Sequence, residues 1–204
     1  MAGWVARIEH SKTIWVLEQS GEWACGICCA GMALSWTGHG FPSETMLAGT
    51  SRKTSVKGHR YEFAIQDRPD MKATPLVGLL PKIEHVDVLR DPGTTSVGVT
   101  SLLNGYPDIE ATLTFDPSAT ACKFACRATA DDGTSPVIMA LVDPPHFVIC
   151  HSHVKVGDSW VYLIANPGDG TVFLGDITES GGKPYLDGSH YGSVIDRMIE
   201  VSVS

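Results

Sequence analysis

The 204-residue chain has no basic excess, no long apolar run, no internal repeat and no low-complexity segment. Its 15 Lys and Arg against 23 Asp and Glu give a net charge of −8. A basic footprint for phosphate backbones is therefore missing, which argues against a nucleic-acid substrate. No stretch reaches the roughly 18 apolar residues of a transmembrane helix, so no membrane span is expected. The start, MAGWVARIEH, lacks the basic head and apolar core of a secretory signal. The expected location is the cytoplasm, or the outside of the cell by an effector-type route that uses no cleaved signal. A disulfide framework is also missing. The six cysteines stand at 25, 28, 29, 122, 126 and 150, three of them within five positions of one expected helix, where they cannot all pair. Reduced thiols follow.

With 43% hydrophobic and 19% charged residues, the composition is that of a folded globular chain. Its length fits one domain, residues 1–204. The acidity is concentrated: residues 100–204 hold five Lys and Arg against thirteen Asp and Glu, while residues 1–99 balance at ten each. A solvated acidic surface accounts for it.

The organising stretch is residues 19–36, QSGEWACGICCAGMALSW. Nothing charged lies between Ala24 and Trp36, so a helix here is apolar all round and belongs in the interior. It opens on Cys25, where aligned backbone dipoles and free N–H groups favour a thiolate, and stops at Gly38-His39-Gly40. Ser43 offers an N-cap for a second short helix through Leu47 that Gly49 closes. Before the organising stretch, Ile14 to Leu17 suggests a short strand. Residues 50–100 are punctuated by Pro69, Pro75, Pro81 and Pro92. They show a basic cluster from Arg52 to Arg60 and short apolar pieces at Tyr61 to Ile65, Leu76 to Leu80 and Val86 to Leu89. Gly93 to Thr100 suits a loop or edge strand. Ile109 to Phe115 alternates as a half-buried strand, and residues 118–130 suit a helix capped at Ser118. The last third, from Pro136, reads as strands. The expected fold is α+β: a helical lobe over about residues 1–130, built around the buried helix, and an antiparallel β lobe over about 131–204.

A nucleophilic thiol needs a base, a group to orient that base, and donors for a tetrahedral oxyanion. His146 opens a strand after Pro144-Pro145, and Asn166 ends the strand that returns. A three-residue Lys155-Val156-Gly157 loop with Gly157 left-handed pairs Val154 with Asp158, and His146 then lies opposite Asn166. Directly opposed residues have Cβ atoms about 4.5–5.5 Å apart, within reach for orienting an imidazole. A two-residue Gly157-Asp158 turn instead sets His146 against Asp169, which is thus a competing orienter.

Gln19, then Cys25 six positions on, then His146 and Asn166 in that order resembles the papain-like cysteine peptidases. The text CGICCAGMAL is most similar to the nucleophile helix of bacterial double-glycine-leader, bacteriocin-processing peptidases. These carry a cysteine-glycine pair, a small or thiol residue four on and a methionine seven on, matched here by Cys25, Gly26, Cys29 and Met32. HFV at 146–148 and NP at 166–167 resemble that family's histidine strand and Asp-Pro or Asn-Pro turn. Phytochelatin synthase, a relative, is similar around residues 19–26. The matched parts, 19–36 and 136–170, are about a third of the chain. Ala24 departs from the family, which commonly has aspartate there. The resemblance implies a papain-like fold and a thiol hydrolase acting on a protein or peptide, with no cofactor and no metal. It makes Cys25 the nucleophile, His146 the general base, Asn166 the orienter, and Gln19 an oxyanion donor beside the Cys25 N–H.

Rival assignments remain. A C-G-x-C signature laid on residues 25–28 makes Cys28 the nucleophile. Trp23-Ala24-Cys25-Gly26-Ile27-Cys28 also has the outline of a thiol–disulfide oxidoreductase motif, with Thr74-Pro75 as its later proline. Acyl or γ-glutamyl transfer uses the same thioester chemistry as hydrolysis. Cys25/Cys28 with Cys122/Cys126, or Cys150 with His151 and His153, has loose zinc spacing.

Overall fold

Trp4, Ile14 and the apolar stretch from Ala24 begin the chain with a hairpin leading into a buried helix, and the computed structural model shows both. It describes residues 3–20, 24–47, 95–129, 133–188 and 192–204. The basic cluster, the short apolar pieces between 61 and 89, Thr74-Pro75, Trp23 and the expected stop at Gly49 lie outside the described residues. Strands β1 (Trp4–Glu9) and β2 (Lys12–Leu17) pair antiparallel as an isolated hairpin. The expected strand at 14–17 is thus the end of a longer one.

Helix α1 (Cys25–Trp36) buries residues 25 to 34 without interruption, as its uncharged sequence requires. It ends in a Schellman turn. The His39 N–H reaches Leu34 O at 2.8 Å and the Gly38 N–H reaches Ser35 O at 3.1 Å, with Gly38 at φ +91°. A side chain at residue 38 would resist that left-handed conformation. A short helical turn at 44–47 follows, capped by Ser43, whose Oγ accepts the Met46 N–H at 3.1 Å.

Helix α2 (Ser96–Leu103) falls where the sequence suggested loop or edge strand. Two things override the weak propensity of its Gly, Ser, Thr and Val residues. Thr95 Oγ1 caps the Gly98 N–H at 2.9 Å, and Val99, Leu102 and Leu103 make one buried helical stripe. Strand β3 (Ile109–Phe115) and helix α3 (Ala119–Ala128), capped by Ser118, match their expected positions.

The rest is strand: β4 (Val137–Leu141), β5 (His146–Val156), β6 (Ser159–Asn166), β7 (Thr171–Ser180), β8 (Lys183–Gly188) and β9 (Gly192–Val203). The class is α+β, with α1 packed on β5. The open sheet implied by a papain-like architecture is corrected, because β9 closes the sheet on itself. Residues 192–194 of β9 pair with β8, while residues 195–200 pair with β4. Six strands thus form a closed barrel in the order β9-β4-β5-β6-β7-β8, and β3 extends the sheet from the far part of β9. Closure is favoured because it leaves those six strands with fewer unpaired edges. Through β3, a strand from before residue 130 joins the C-terminal sheet.

Two buried clusters lie on opposite faces of the sheet. One joins α1, α2 and β2 to Phe147, Ile149, Leu163 and Ala165. The other joins Cys122, Ala125 and Cys126 of α3 to Val148, Cys150, Tyr162 and Ile164. Adjacent residues of β5 and β6 fall into alternate clusters, as a pleated strand covered on both sides demands.

Candidate active site

The β5–β6 hairpin corrects the expected register. Val156 pairs with Ser159 across a two-residue turn with Gly157 at φ +61°, so the three-residue loop is not formed. Continued without interruption, that turn would set His146 against Asp169. A bulge intervenes: Ser152 pairs with Leu163 but Cys150 pairs with Ile164, which leaves His151 as the extra residue. Beyond the bulge, Ile149 pairs with Ala165. Extending that register places Gly168 across from His146 and Asn166 on the diagonal, on the same face.

The diagonal is short enough. His146 Nε2 lies 2.7 Å from Asn166 Oδ1. Asn166 is fully buried, and its Oδ1 also accepts the Gly168 N–H at 2.9 Å. A backbone N–H can only donate, so the oxygen end of the amide faces the imidazole. The imidazole must then present a hydrogen on Nε2, which leaves the Nδ1 lone pair as the basic site. Burial pushes the His146 pKa below its ordinary value, while the Asn166 hydrogen bond and the charge of Asp169 pull the other way. The net shift favours a neutral imidazole, the form that accepts a proton.

Gly168 makes this pairing fit. A Cβ there would stand 3.1 Å from Asn166 Oδ1 and 3.4 Å from His146 Cε1. Asp169 is engaged elsewhere: its Oδ1 accepts the Thr171 Oγ1–H at 2.6 Å and the Thr171 N–H at 3.1 Å. It shapes its own turn and reaches His146 as a charge.

The chain entering α1 docks on the same turn. The Gln19 N–H donates to Pro167 O at 2.8 Å, and Arg7 Nε donates to Gly170 O at 2.6 Å. Gln19 Oε1 is buried and, among the described residues, has no hydrogen-bond partner. Cys25 opens α1 at 7% exposure, in the cluster that contains Phe147, the neighbour of His146. Among the described residues no side chain caps this end of the helix, and no acidic residue lies in its first turn, so its N–H groups keep their affinity for negative charge. By pleat parity, His146 and Asn166 belong to the face of Val148 and Ile164, whereas Cys25 lies on the opposite face. The structure thus holds His146 and Asn166 together and places Cys25 in the cluster on the other face.

Cys28 sits differently. It is fully buried, and its Sγ points to Glu44 Oε2 at 3.7 Å. Burial above all, and then the Glu44 carboxylate, push its pKa well above the usual thiol value. Such a thiol is a poor nucleophile. Cys29 is likewise buried with a raised pKa, and Met32 is core. None of the six cysteines is in a disulfide. Among the described residues, no group of three or more His, Cys, Asp or Glu is placed to hold a metal ion.

Two residues at this site carried no obvious signal. Gly168 was hidden in a glycine-rich turn. Glu44 stands at the start of a short helix, where a carboxylate is usually solvent-exposed, yet it is 5% exposed. Its two oxygens accept the Ser20 N–H and Oγ–H, both at 2.6 Å.

The chain was compared with protein-family models, with curated proteins and with solved structures, and nothing matches. Among the described residues no helix is long and apolar enough to cross a membrane.

Proposed function

We propose that the protein is a papain-like cysteine peptidase that cleaves a peptide or isopeptide bond through an acyl-thioester on Cys25. His146 Nδ1 takes the Cys25 proton, and the thiolate attacks the scissile carbonyl carbon. The carbonyl oxygen becomes an oxyanion held by the Cys25 N–H and the Gln19 side-chain amide. His146 returns the proton to the leaving amine as the C–N bond breaks. Water, deprotonated by His146, then releases the acid and regenerates the thiol. Replacing that water by an amine turns the same enzyme into an acyl or γ-glutamyl transferase.

One observation carries this reading. The 2.7 Å bond from His146 Nε2 to a buried, doubly engaged Asn166 Oδ1 holds an imidazole whose Nδ1 carries the basic lone pair. Core packing does not need such a bond; an oriented base does. A protein or peptide is the proposed partner, and the reduced thiols suit a reducing compartment such as a bacterial cytoplasm.

The test is labelling with an electrophilic thiol probe, located by mass spectrometry. Cys25→Ala should abolish it, Cys28→Ala should leave it, and His146→Ala should slow it about 10²-fold or more. Labelling that survives Cys25→Ala refutes the proposal, and unchanged labelling in His146→Ala refutes the dyad.

A further inference from the structure

We infer that Glu44 is a positioning residue for the oxyanion site, an assignment that rests on the reading of Cys25 and Gln19 given above. Glu44 comes from the helical turn at 44–47 that follows α1, remote in sequence from the histidine strand. Its carboxylate is nevertheless buried, and both oxygens are spent on the approach to the nucleophile. Oε2 accepts the Ser20 N–H and Oε1 accepts the Ser20 Oγ–H, each at 2.6 Å. Oε2 also accepts the Cys28 S–H at 3.7 Å, one turn into α1.

These three donors are informative because of where they sit. Ser20 follows Gln19 directly, and the Gln19 N–H is already fixed by Pro167 O. Gln19 is therefore clamped from two sides: by the turn that holds Asn166, and by a carboxylate anchored over the first turn of α1. Two short hydrogen bonds to a charged, buried acceptor are stronger and better aligned than a neutral pair would be. The side chain of residue 19 can then only swing about its own χ angles. Oxyanion stabilisation depends on such fixed donors, since a donor that must be reorganised during reaction contributes much less.

Glu44 also separates the two candidate sulfurs. Burial first, and then this contact, keep Cys28 a protonated donor, so no second thiolate forms one turn away from Cys25. A hydrophobic residue at 44 would leave the Ser20 N–H and the Cys28 thiol without that acceptor, and Pro167 O would hold residues 19–20 from one side.

The experiment compares two reactions of the same sulfur in the full chain. Iodoacetamide alkylates a thiolate by displacement and needs no oxyanion site. 4-Nitrophenyl acetate acylates it through a tetrahedral intermediate and does. Glu44→Ala should slow the acylation burst at least tenfold while Cys25 alkylation, located by mass spectrometry, stays within threefold. Glu44→Gln, which keeps the shape and one acceptor oxygen, should recover most of the burst. Ser20→Ala, which removes only the hydroxyl bond, should slow it severalfold and serves as the test should Glu44→Ala fail to fold. An unchanged acylation-to-alkylation ratio in Glu44→Ala, or in Ser20→Ala, overturns the assignment. So does an equal fall of both reactions, since that would be a structural role. Failure of the underlying reading looks different: wild-type Cys25 would then be inert to both reagents.

Discussion

Replacing Gly168 by alanine tests the site with one methyl group. The new Cβ would lie 3.1 Å from Asn166 Oδ1, 3.4 Å from His146 Cε1 and 3.5 Å from His146 Nε2. Comfortable non-bonded carbon contacts fall at about 3.5–4.0 Å, so the imidazole and the amide must part by a few tenths of an ångström. That separation acts directly on a 2.7 Å hydrogen bond. Misplacing a catalytic group by 1 Å costs on the order of 10²-fold, so a shift of this size should cost about 3- to 30-fold in acylation rate. Stability should hardly change. Alanine restricts the unfolded chain by about 0.4–1 kcal/mol in favour of folding, and the forced rotamers oppose it by about 0.5–1.5 kcal/mol. The assays are the 4-nitrophenyl acetate burst and thermal melting. Gly157→Ala is the control, since it sits at φ +61° with nothing within 4 Å of its Cβ. It should lose about 1 kcal/mol of stability and no activity. Full activity in Gly168→Ala, or a loss seen only with several kcal/mol of destabilisation, would refute the reasoning.

Two further outcomes follow from the charges at the site. In a Cys25→Ala background, where no thiol couples to it, the His146 imidazole should titrate by NMR below 6.5, because burial outweighs its favourable partners. Asp169→Asn should lower that midpoint further, by removing a charge that raises it; a midpoint at or above 6.5 contradicts the assignment. The linked stability has a definite sign. Between the folded and unfolded pKa the unfolded chain binds more protons, so the His146 contribution is complete above about 6.5 and is lost as pH falls through the depressed folded value. Cys28→Ala should retain Cys25 labelling and lose about 1–3 kcal/mol in denaturant unfolding, for the thiol donor taken from Glu44 and the packing removed with it; lost labelling in a folded variant would move the chemistry to Cys28.

How much of this was legible depends on the range of the interactions. α1 was readable because an uncharged stretch of that length leaves no face for solvent, and its stop was readable because Gly38 satisfies local carbonyls. Ser118 and Ser43 declared their helices in the same local way. α2 was not, because its residues have little intrinsic preference for helix, and only burial of Val99, Leu102 and Leu103 against the core decides the matter. Barrel closure could not be read either. It depends on one strand, β9, finding partners on both sides at registers that no local pattern encodes.

The His146–Asn166 pair shows why a right partner can emerge from a wrong register. The expected three-residue loop would have set them directly opposite; the real two-residue turn moves Asp169 into that place; the bulge at His151 then shifts the strand by one residue, to Gly168. Asn166 is left on the diagonal, where only a glycine across from His146 leaves room for the imidazole to lean over and reach it. Bulge and glycine therefore act together, and the pairing is specified by both and not by the turn. Deleting His151 would remove the bulge and keep its flanks in register, with Cys150 still on Ile164 and Gly168 still across from His146. The His146 titration should therefore be unchanged in that variant, and a midpoint that moves would show that the bulge itself, and not the register it sets, holds the diagonal.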